Sequence, residues 1–138
     1  MWHVFSLRWI FGLILFTCSL WVNAQSYPTK TITLIVPFAP GGNIDVIARS
    51  IAPSLAKVTG QSVVVENKAG AGGAIGATYV AKAEPDGHTL LVATTNTISV
   101  LPYMLKNPPF KPDSFEPVGL AAISPLVLVV RKDDKRFP

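Results

Sequence analysis

The sequence predicts an α/β protein in which helices cover both faces of a parallel sheet, a three-layer arrangement. Short, uninterrupted apolar segments alternate with longer segments whose apolar residues recur at three- and four-residue steps. Turns rich in Gly or Pro separate these segments. An uninterrupted apolar strand is typical of a parallel sheet that is buried on both faces. Regular alternation of strand and helix is typical of the α/β class.

The predicted strands are short runs rich in Val, Ile, Leu and Thr, at residues 32–36, 62–66 and 89–93. Crossovers between parallel strands are right-handed, which favours the strand order 2-1-3. In that order the first and third strands are neighbours. The loops that follow them, at residues 39–43 and 94–97, are therefore expected to face each other across a crevice.

A helical segment follows each predicted strand. The first has apolar residues at helical spacing, namely Ile44, Ile47, Ile51, Leu55 and Val58. Gly60 is a natural stop, so we predict a helix over residues 44–59. The other predicted elements are helices at 74–83 and, interrupted by Pro102, at 98–105, and apolar strands at 118–123 and 126–130.

The first 24 residues have the features of a secretory signal peptide. The apolar run at residues 9–22 is shorter than a typical membrane span. Val22 and Ala24 occupy the −3 and −1 positions of a cleavage site, so we expect cleavage after Ala24 and export to the periplasm. An uncleaved N-terminal anchor is the alternative. The single cysteine, Cys18, lies in this segment, so the rest of the chain forms no internal disulfide.

Composition argues against nucleic-acid binding and offers little for catalysis. The 12 basic and 8 acidic residues give a formal net charge of +4, without a basic stripe interleaved with aromatic residues. His88, the only histidine after the predicted signal peptide, has no nucleophile pattern beside it, so we expect a structural or surface role. The sequence contains no GxSxG motif and no cluster of metal ligands, and we expect no cofactor.

The Gly-rich turn between the first strand and the first helix is the first candidate site. Gly41 and Gly42 let a ligand approach the backbone closely, and the amino end of a helix attracts anions. Asn43 is a candidate N-cap of the helix. Asp45 is expected to support the helix end and to pair with Arg49. A tight turn feeding a capped helix, without any ligand, is the alternative.

Two other segments belong to the same predicted edge of the sheet. Thr94, Thr95 and Asn96 offer hydroxyl and amide groups to a ligand, although Asn96 alternatively caps the next helix. The Gly-rich segment at residues 70–76 fits neither the GxGxxG pattern nor a P-loop. It provides either a second set of amides that face an anion or close helix–sheet packing at Gly76.

Three segments, VPFAPGGNIDVIAR, VVVENKAGAGGAIGATYVAKAEPDGHTLLVATTN and SPLVLVV, resemble the Bug-type (TctC-like) extracytoplasmic solute-binding receptors of tripartite tricarboxylate transporters. The resemblance implies a two-domain, type II periplasmic binding protein that closes over a small organic carboxylate. It also implies membrane permease subunits as partners and no catalysis. In that family, backbone amides and bridging waters of strand-to-helix loops hold the carboxylate. The matching positions here are Pro40, Gly41, Gly42 and Asp45 in one loop and Thr94, Thr95 and Asn96 in another; Asn43, within the first motif, completes the candidate site.

Family members are much longer than this chain, so the resemblance implies an incomplete fold. We expect a partial first lobe at residues 25–125 and the start of a crossover to a second lobe at residues 126–138. We also expect weak or undetectable carboxylate binding by this chain alone, and aggregation through apolar strands that lack partners. The alternatives to a receptor are a non-functional or interaction-only fragment and a small periplasmic α/β enzyme.

Overall fold

The computed structural model describes residues 27–125, 127, 129, 130 and 132. The predicted signal peptide and its cleavage after Ala24 lie outside the described residues, as does most of the expected crossover at residues 126–138. The regular elements are β1 (Ile32–Val36), α1 (Asn43–Thr59), β2 (Val63–Asn67), α2 (Ala74–Ala81), β3 (Thr89–Leu91) and α3 (Leu101–Met104). Within these described ranges, no helix is long and apolar enough to cross a membrane.

β1 is the central strand of a three-stranded parallel sheet in the order β2-β1-β3, as predicted. Leu34 of β1 lies opposite Val65 of β2 and Leu90 of β3. Four of the five β1 residues are buried, and only Thr33 is partly exposed. Because β1 is paired along both edges and covered on both faces, its carboxyl end is the fixed point from which the following loop departs.

Helices cover both faces of the sheet. On one face Ala52 of α1 packs in a cluster that includes Leu34 and Leu90. On the other face Ala77 of α2 packs in a separate cluster that includes Leu91. Leu90 and Leu91 belong to different clusters because successive side chains of a strand point to opposite faces of the sheet. The predicted arrangement of helix, sheet and helix is therefore confirmed.

The element boundaries differ from the predicted ones mainly around β3. β2 lies one residue later than predicted, β3 is two residues shorter, and α2 ends two residues earlier. The third helical segment begins as a π-helical turn, Asn96–Val100, that continues into α3. Pro102 does not interrupt this segment because it lies in the first turn of α3, where the missing N–H is tolerated.

The prediction of a strand at residues 118–123 is wrong. Val118, Leu120 and Ile123 are between 79% and 84% exposed, and the segment forms no strand. A strand requires a neighbour that pairs with its N–H and C=O groups, and none of the described strands pairs with this segment. In the other predicted strand, at 126–130, residues 126 and 128 lie outside the described residues.

A polar cluster joins the segment before β1 to the turn before β3. The Asp86 carboxylate accepts the backbone N–H of His88 at 3.0 Å and pairs with the Lys30 ammonium at 2.7 Å. The buried His88 accepts the backbone N–H of Thr29 on its Nε2 at 3.2 Å. Its Nδ1 lies 3.3 Å from Asp86 Oδ1 without hydrogen-bond geometry. His88 therefore connects two segments of the fold.

We predict that Asp86 contributes to the loss of stability in acid. The Lys30 ammonium and the His88 N–H lower the pKa of Asp86 to about 2. Between about pH 4 and pH 2 the unfolded chain then binds more protons than the folded chain, so this stabilisation is complete above about pH 4 and is lost as the pH falls toward 2. The melting temperature of Asp86→Asn should vary less than that of the wild type between about pH 5 and pH 2.5.

The exposed carboxylate of Asp113 provides a matched control, since Asp113→Asn removes a charge outside this cluster. That variant should keep the pH dependence of the wild type. Identical pH dependence in Asp86→Asn and the wild type would contradict the assignment.

α2 approaches the ends of β1 and β2 so closely that only glycine fits at position 76. A Cβ at Gly76 would lie 2.8 Å from the Cα of Pro37 and 2.9 Å from the carbonyl oxygen of Lys68. Of the two roles considered for Gly76, this geometry favours close packing.

Gly76→Ala should lower the free energy of unfolding by about 1–3 kcal/mol, because overlap with backbone atoms outweighs the better helix propensity of alanine. Gly119→Ala is the control, since a Cβ there meets nothing within 4 Å. Urea unfolding followed by circular dichroism measures both. A Gly76→Ala variant as stable as the wild type would contradict this expectation, because it would show that the backbone shifts to admit a Cβ at position 76 without a cost in stability.

Candidate anion-binding site

The predicted site residues lie at the carboxyl edge of the sheet, in the segments that follow β1 and β3. The loop at residues 37–42 follows β1 and leads into α1, and the segment at residues 94–96 follows β3 and leads into the π-helical turn. Asp45 is buried and Thr94 is half-buried, whereas the others are exposed, namely Pro40, Gly41, Gly42, Asn43, Thr95 and Asn96.

The N-cap of α1 is Gly42, so the prediction that Asn43 caps this helix is wrong. Gly42 has an extended backbone, with φ −74° and ψ 167°, and its carbonyl accepts the Val46 N–H at 3.0 Å. Asn43 is the first helical residue, and its Nδ2 donates to Ser124 Oγ at 3.1 Å. The N–H groups of Asn43 and Ile44 belong to the first helical turn, where no acceptor exists within the helix. They point out of the amino end of α1.

The carboxylate of Asp45 reaches back over the start of α1. Its Oδ2 accepts the backbone N–H of Gly41 at 2.8 Å and the Nε of Arg49 at 3.0 Å. The predicted pairing of Asp45 with Arg49 is therefore confirmed. The Arg49 hydrogen bond, followed by those from Gly41 and Asn67, holds the pKa of Asp45 well below its ordinary value. The same pairing raises the pKa of Arg49, so both groups are charged near neutral pH.

These contacts decide which amides face outward. The Gly41 N–H is donated to Asp45, so it points into the protein rather than toward a ligand. The Gly42 N–H makes only a long contact of 3.4 Å to the Ala39 carbonyl. In this conformation, the outward-facing donors at the start of α1 are the backbone amides of Asn43 and Ile44.

Asn67, the last residue of β2, is part of this arrangement and was not predicted. Its Nδ2 donates to Asp45 Oδ1 at 2.9 Å and to the Phe38 carbonyl at 3.1 Å, and its Oδ1 accepts Arg49 Nη2 at 3.0 Å. The parallel register places Asn67 beside Val36, where the loop begins. The only sign of it in the sequence is a polar side chain at the end of the apolar run VVVEN.

The Gly-rich segment after β2 brings the other two loops together. A Cβ at Gly73, where φ is +103°, would lie 3.1 Å from Thr97 Cγ2 and 3.5 Å from Phe38 Cζ. The loop after β1 and the turn after β3 therefore both contact this glycine. The fully buried Thr97, which the sequence analysis did not single out, donates its N–H to Thr94 Oγ1 at 3.3 Å. The Thr94 hydroxyl is thus engaged within the turn.

The groups presented at this edge are neutral hydrogen-bond donors beside an ion pair whose carboxylate is buried and whose guanidinium is partly exposed. Amides at the amino end of a helix favour an anion through their N–H groups and through the helix dipole. Among the residues that the structure describes, no group of three or more His, Cys, Asp or Glu side chains is placed to hold a metal ion. The arrangement is suited to reversible binding of a small anion.

Comparison with known proteins identifies the family. Residues 47–136 match the tripartite tricarboxylate transporter family receptor model, TctC. A UPF0065 protein of Bordetella pertussis is 40% identical over 127 residues, which cover 92% of this chain and 39% of that protein. Protein BugT of the same organism is 44% identical over 110 residues, which cover 78% of this chain and 34% of BugT. The chain thus spans less than half the length of these relatives.

Solved structures agree with the sequence comparison. A structure described as a periplasmic transporter is 54% identical, with a TM-score of 0.60, over 62% of this chain and 29% of that one. MatC of Rhodopseudomonas palustris with bound malate is 44% identical, with a TM-score of 0.60, over 63% of this chain and 30% of MatC. An R. palustris protein solved with adipate is 38% identical, with a TM-score of 0.59, over 63% of this chain and 29% of that one. This chain belongs to the TctC (Bug) family of tripartite tricarboxylate transporter receptors, which are solute-binding proteins and not enzymes.

Proposed function

We propose that this chain binds a small organic carboxylate at the carboxyl edge of its sheet, as part of a periplasmic receptor that delivers the ligand to permease subunits of a tripartite tricarboxylate transporter. The observation that carries the proposal is the pair of outward-facing amides of Asn43 and Ile44 at the start of α1, where no side chain among the described residues caps the helix. Thr95 and Asn96 lie exposed at the same edge. The malate bound to MatC and the adipate bound to the other R. palustris protein support a carboxylate as the ligand class.

The domain organisation is proposed on the same basis. Residues 25–125 would form the first lobe of the binding protein, after a signal peptide at residues 1–24, and residues 126–138 would begin the crossover to a second lobe. The donation from Asn43 to Ser124 supports this, because it holds the segment before residue 126 against the first loop.

The negative charge of Asp45 is compatible with the binding of an anion at this edge. A bare carboxylate beside an anion site would repel the ligand. Asp45, however, is 3% exposed and is compensated by the Arg49 guanidinium at 3.0 Å. The ligand therefore meets amide dipoles instead of a free negative charge.

The affinity of this edge alone is expected to be low. A hydrogen bond to a charged group contributes roughly 1.5–3 kcal/mol net, and an exposed helix terminus adds about 0.3–1 kcal/mol. Two such contacts supply about 3–7 kcal/mol before the association cost of about 4 kcal/mol or more is subtracted, so the dissociation constant is expected to be about 1 mM or higher. The described residues contact the ligand from one side, so water competes for the same amides.

An interaction-only role is the second candidate function. The exposed apolar segment near the carboxyl end of the described residues favours this role. Val118, Leu120, Ile123, Val127 and Val129 are each at least 79% exposed. A segment of this kind is suited to covering by another polypeptide surface. This candidate differs from the first because it requires no saturable binding of a carboxylate.

Malate binding separates the two candidates. We expect malate, added to the isotope-labelled 138-residue chain, to shift the amide NMR signals of Asn43 and Ile44 with a dissociation constant of about 1 mM or higher. Malamide, which keeps the shape but lacks the charge, should shift them little. Uniformly small shifts without saturation would overturn the receptor proposal and leave the interaction-only role.

A pair of substitutions at position 43 tests the backbone amide directly. Asn43→Pro removes the N–H, and proline is tolerated at the first helical position because the preceding Gly42 is already extended. Asn43→Ala keeps the N–H and removes only the side chain. Malate should bind the Pro variant about tenfold more weakly than the Ala variant. Equal affinity of the two variants would exclude the Asn43 amide as a ligand contact.

A further inference from the structure

Asp45 accepts more hydrogen bonds than a residue that only supports the end of a helix would need. We infer that Asn67 and Arg49 are positioning residues that act through Asp45 to hold the loop at residues 37–42 in the conformation that presents the first amides of α1. The link between this loop conformation and ligand binding rests on the proposed function. The fixing of the loop does not, because it follows from five hydrogen bonds among Phe38, Gly41, Asp45, Arg49 and Asn67.

The polarity of the Asn67 side chain matches each of its partners. Its nitrogen faces two acceptors, the Asp45 carboxylate at 2.9 Å and the Phe38 carbonyl at 3.1 Å. Its oxygen faces a donor, the guanidinium of Arg49, at 3.0 Å. Rotating the amide by half a turn would bring like groups together on all three sides. The three partners therefore fix one orientation of the Asn67 amide, and Asn67 in turn restrains the positions of these partners.

The network holds the loop at two points. The Phe38 carbonyl is bonded to Asn67, and the Gly41 N–H is bonded to Asp45, which Asn67 itself contacts. Only Ala39 and Pro40 lie between these points, and both are exposed. Because β2 supplies Asn67 and α1 supplies Asp45, the loop is tied to the helix that follows it and to the strand that pairs with β1. Its conformation is therefore set by side chains that are distinct from the exposed amides of Asn43 and Ile44.

Arg49 connects Asp45 to Asn67 through two nitrogen atoms of its guanidinium group. Its Nε donates to Asp45 and its Nη2 donates to Asn67. A guanidinium presents these two donors in a fixed plane, whereas a lysine ammonium is a single point of charge. Geometry as well as charge is therefore required at position 49. Arg49→Lys tests this distinction because it keeps the charge and loses the planar fork.

Hydrogen exchange of the Gly41 amide in the 138-residue chain tests the inference without any ligand. Asn67→Asp is nearly isosteric and turns both donations from Nδ2 into contacts between oxygens. We expect it to speed exchange at Gly41 by about tenfold or more, and Arg49→Lys to do so by a smaller factor. The Thr33 amide, which donates to the His88 carbonyl at 2.7 Å, serves as the internal reference and should be unaffected. Asn67→Ala provides the same test if Asn67→Asp does not fold.

Asn107→Asp is the matched control, because it makes the same chemical change at an exposed position outside the network. It should leave Gly41 exchange unchanged. Unchanged Gly41 exchange in the Asn67 variants would overturn the inference, as would an equal increase at Gly41 and Thr33, which would indicate only general destabilisation.

Malate binding by the same variants provides the second readout. We expect a dissociation constant about fivefold or more higher in Asn67→Ala than in the wild type. Faster Gly41 exchange with unchanged malate affinity would overturn the positioning role. If the wild type itself does not bind malate, the proposed function fails, whereas the exchange data still decide whether Asn67 and Arg49 fix the loop.

Discussion

The buried carboxylate of Asp45 is the interaction on which the candidate site depends. It belongs to α1, accepts a backbone N–H from the loop after β1, and contacts the side chain that ends β2. A buried carboxylate is costly unless charge and hydrogen bonds compensate it. Here Arg49, Gly41 and Asn67 do so together. Three elements are consequently joined at one charged group, and the conformation of the loop follows from it.

This arrangement keeps the negative charge of Asp45 buried beneath the loop, whereas the Arg49 guanidinium that compensates it is partly exposed. The ion pair determines where the loop lies, while the exposed donors are neutral amides at the start of α1. Neutral donors bind a carboxylate without a permanent counter-charge, which suits a receptor that must also release its ligand. Family membership agrees with this division, because the relatives are solute-binding proteins.

Features that depend on residue patterns over short stretches of the chain were predictable from the sequence. The apolar runs indicated β1 and the strand order, and the four-residue spacing indicated the pairing of Asp45 with Arg49. The N-cap was missed because the extended backbone of Gly42, and not the chemistry of Asn43, decides where α1 begins.

Contacts that depend on register between distant segments were not predictable. Asn67 reaches the loop only because β2 pairs with β1 so that Asn67 lies beside Val36. The apolar run at residues 118–123 has strand-like composition, but composition does not supply the neighbouring strand that pairing requires. Thr97 is likewise buried where Gly73, from another loop, approaches it closely.

A crystal structure of the 138-residue chain grown with malate would test the central claim most directly. We expect a malate carboxylate oxygen at about 3 Å from the backbone nitrogen of Asn43 or Ile44, with the Gly41 N–H still bonded to Asp45. Malate bound at a different surface would contradict the account. So would a complex in which the Gly41 N–H has turned outward to the ligand and Asp45 has lost its contacts with the loop.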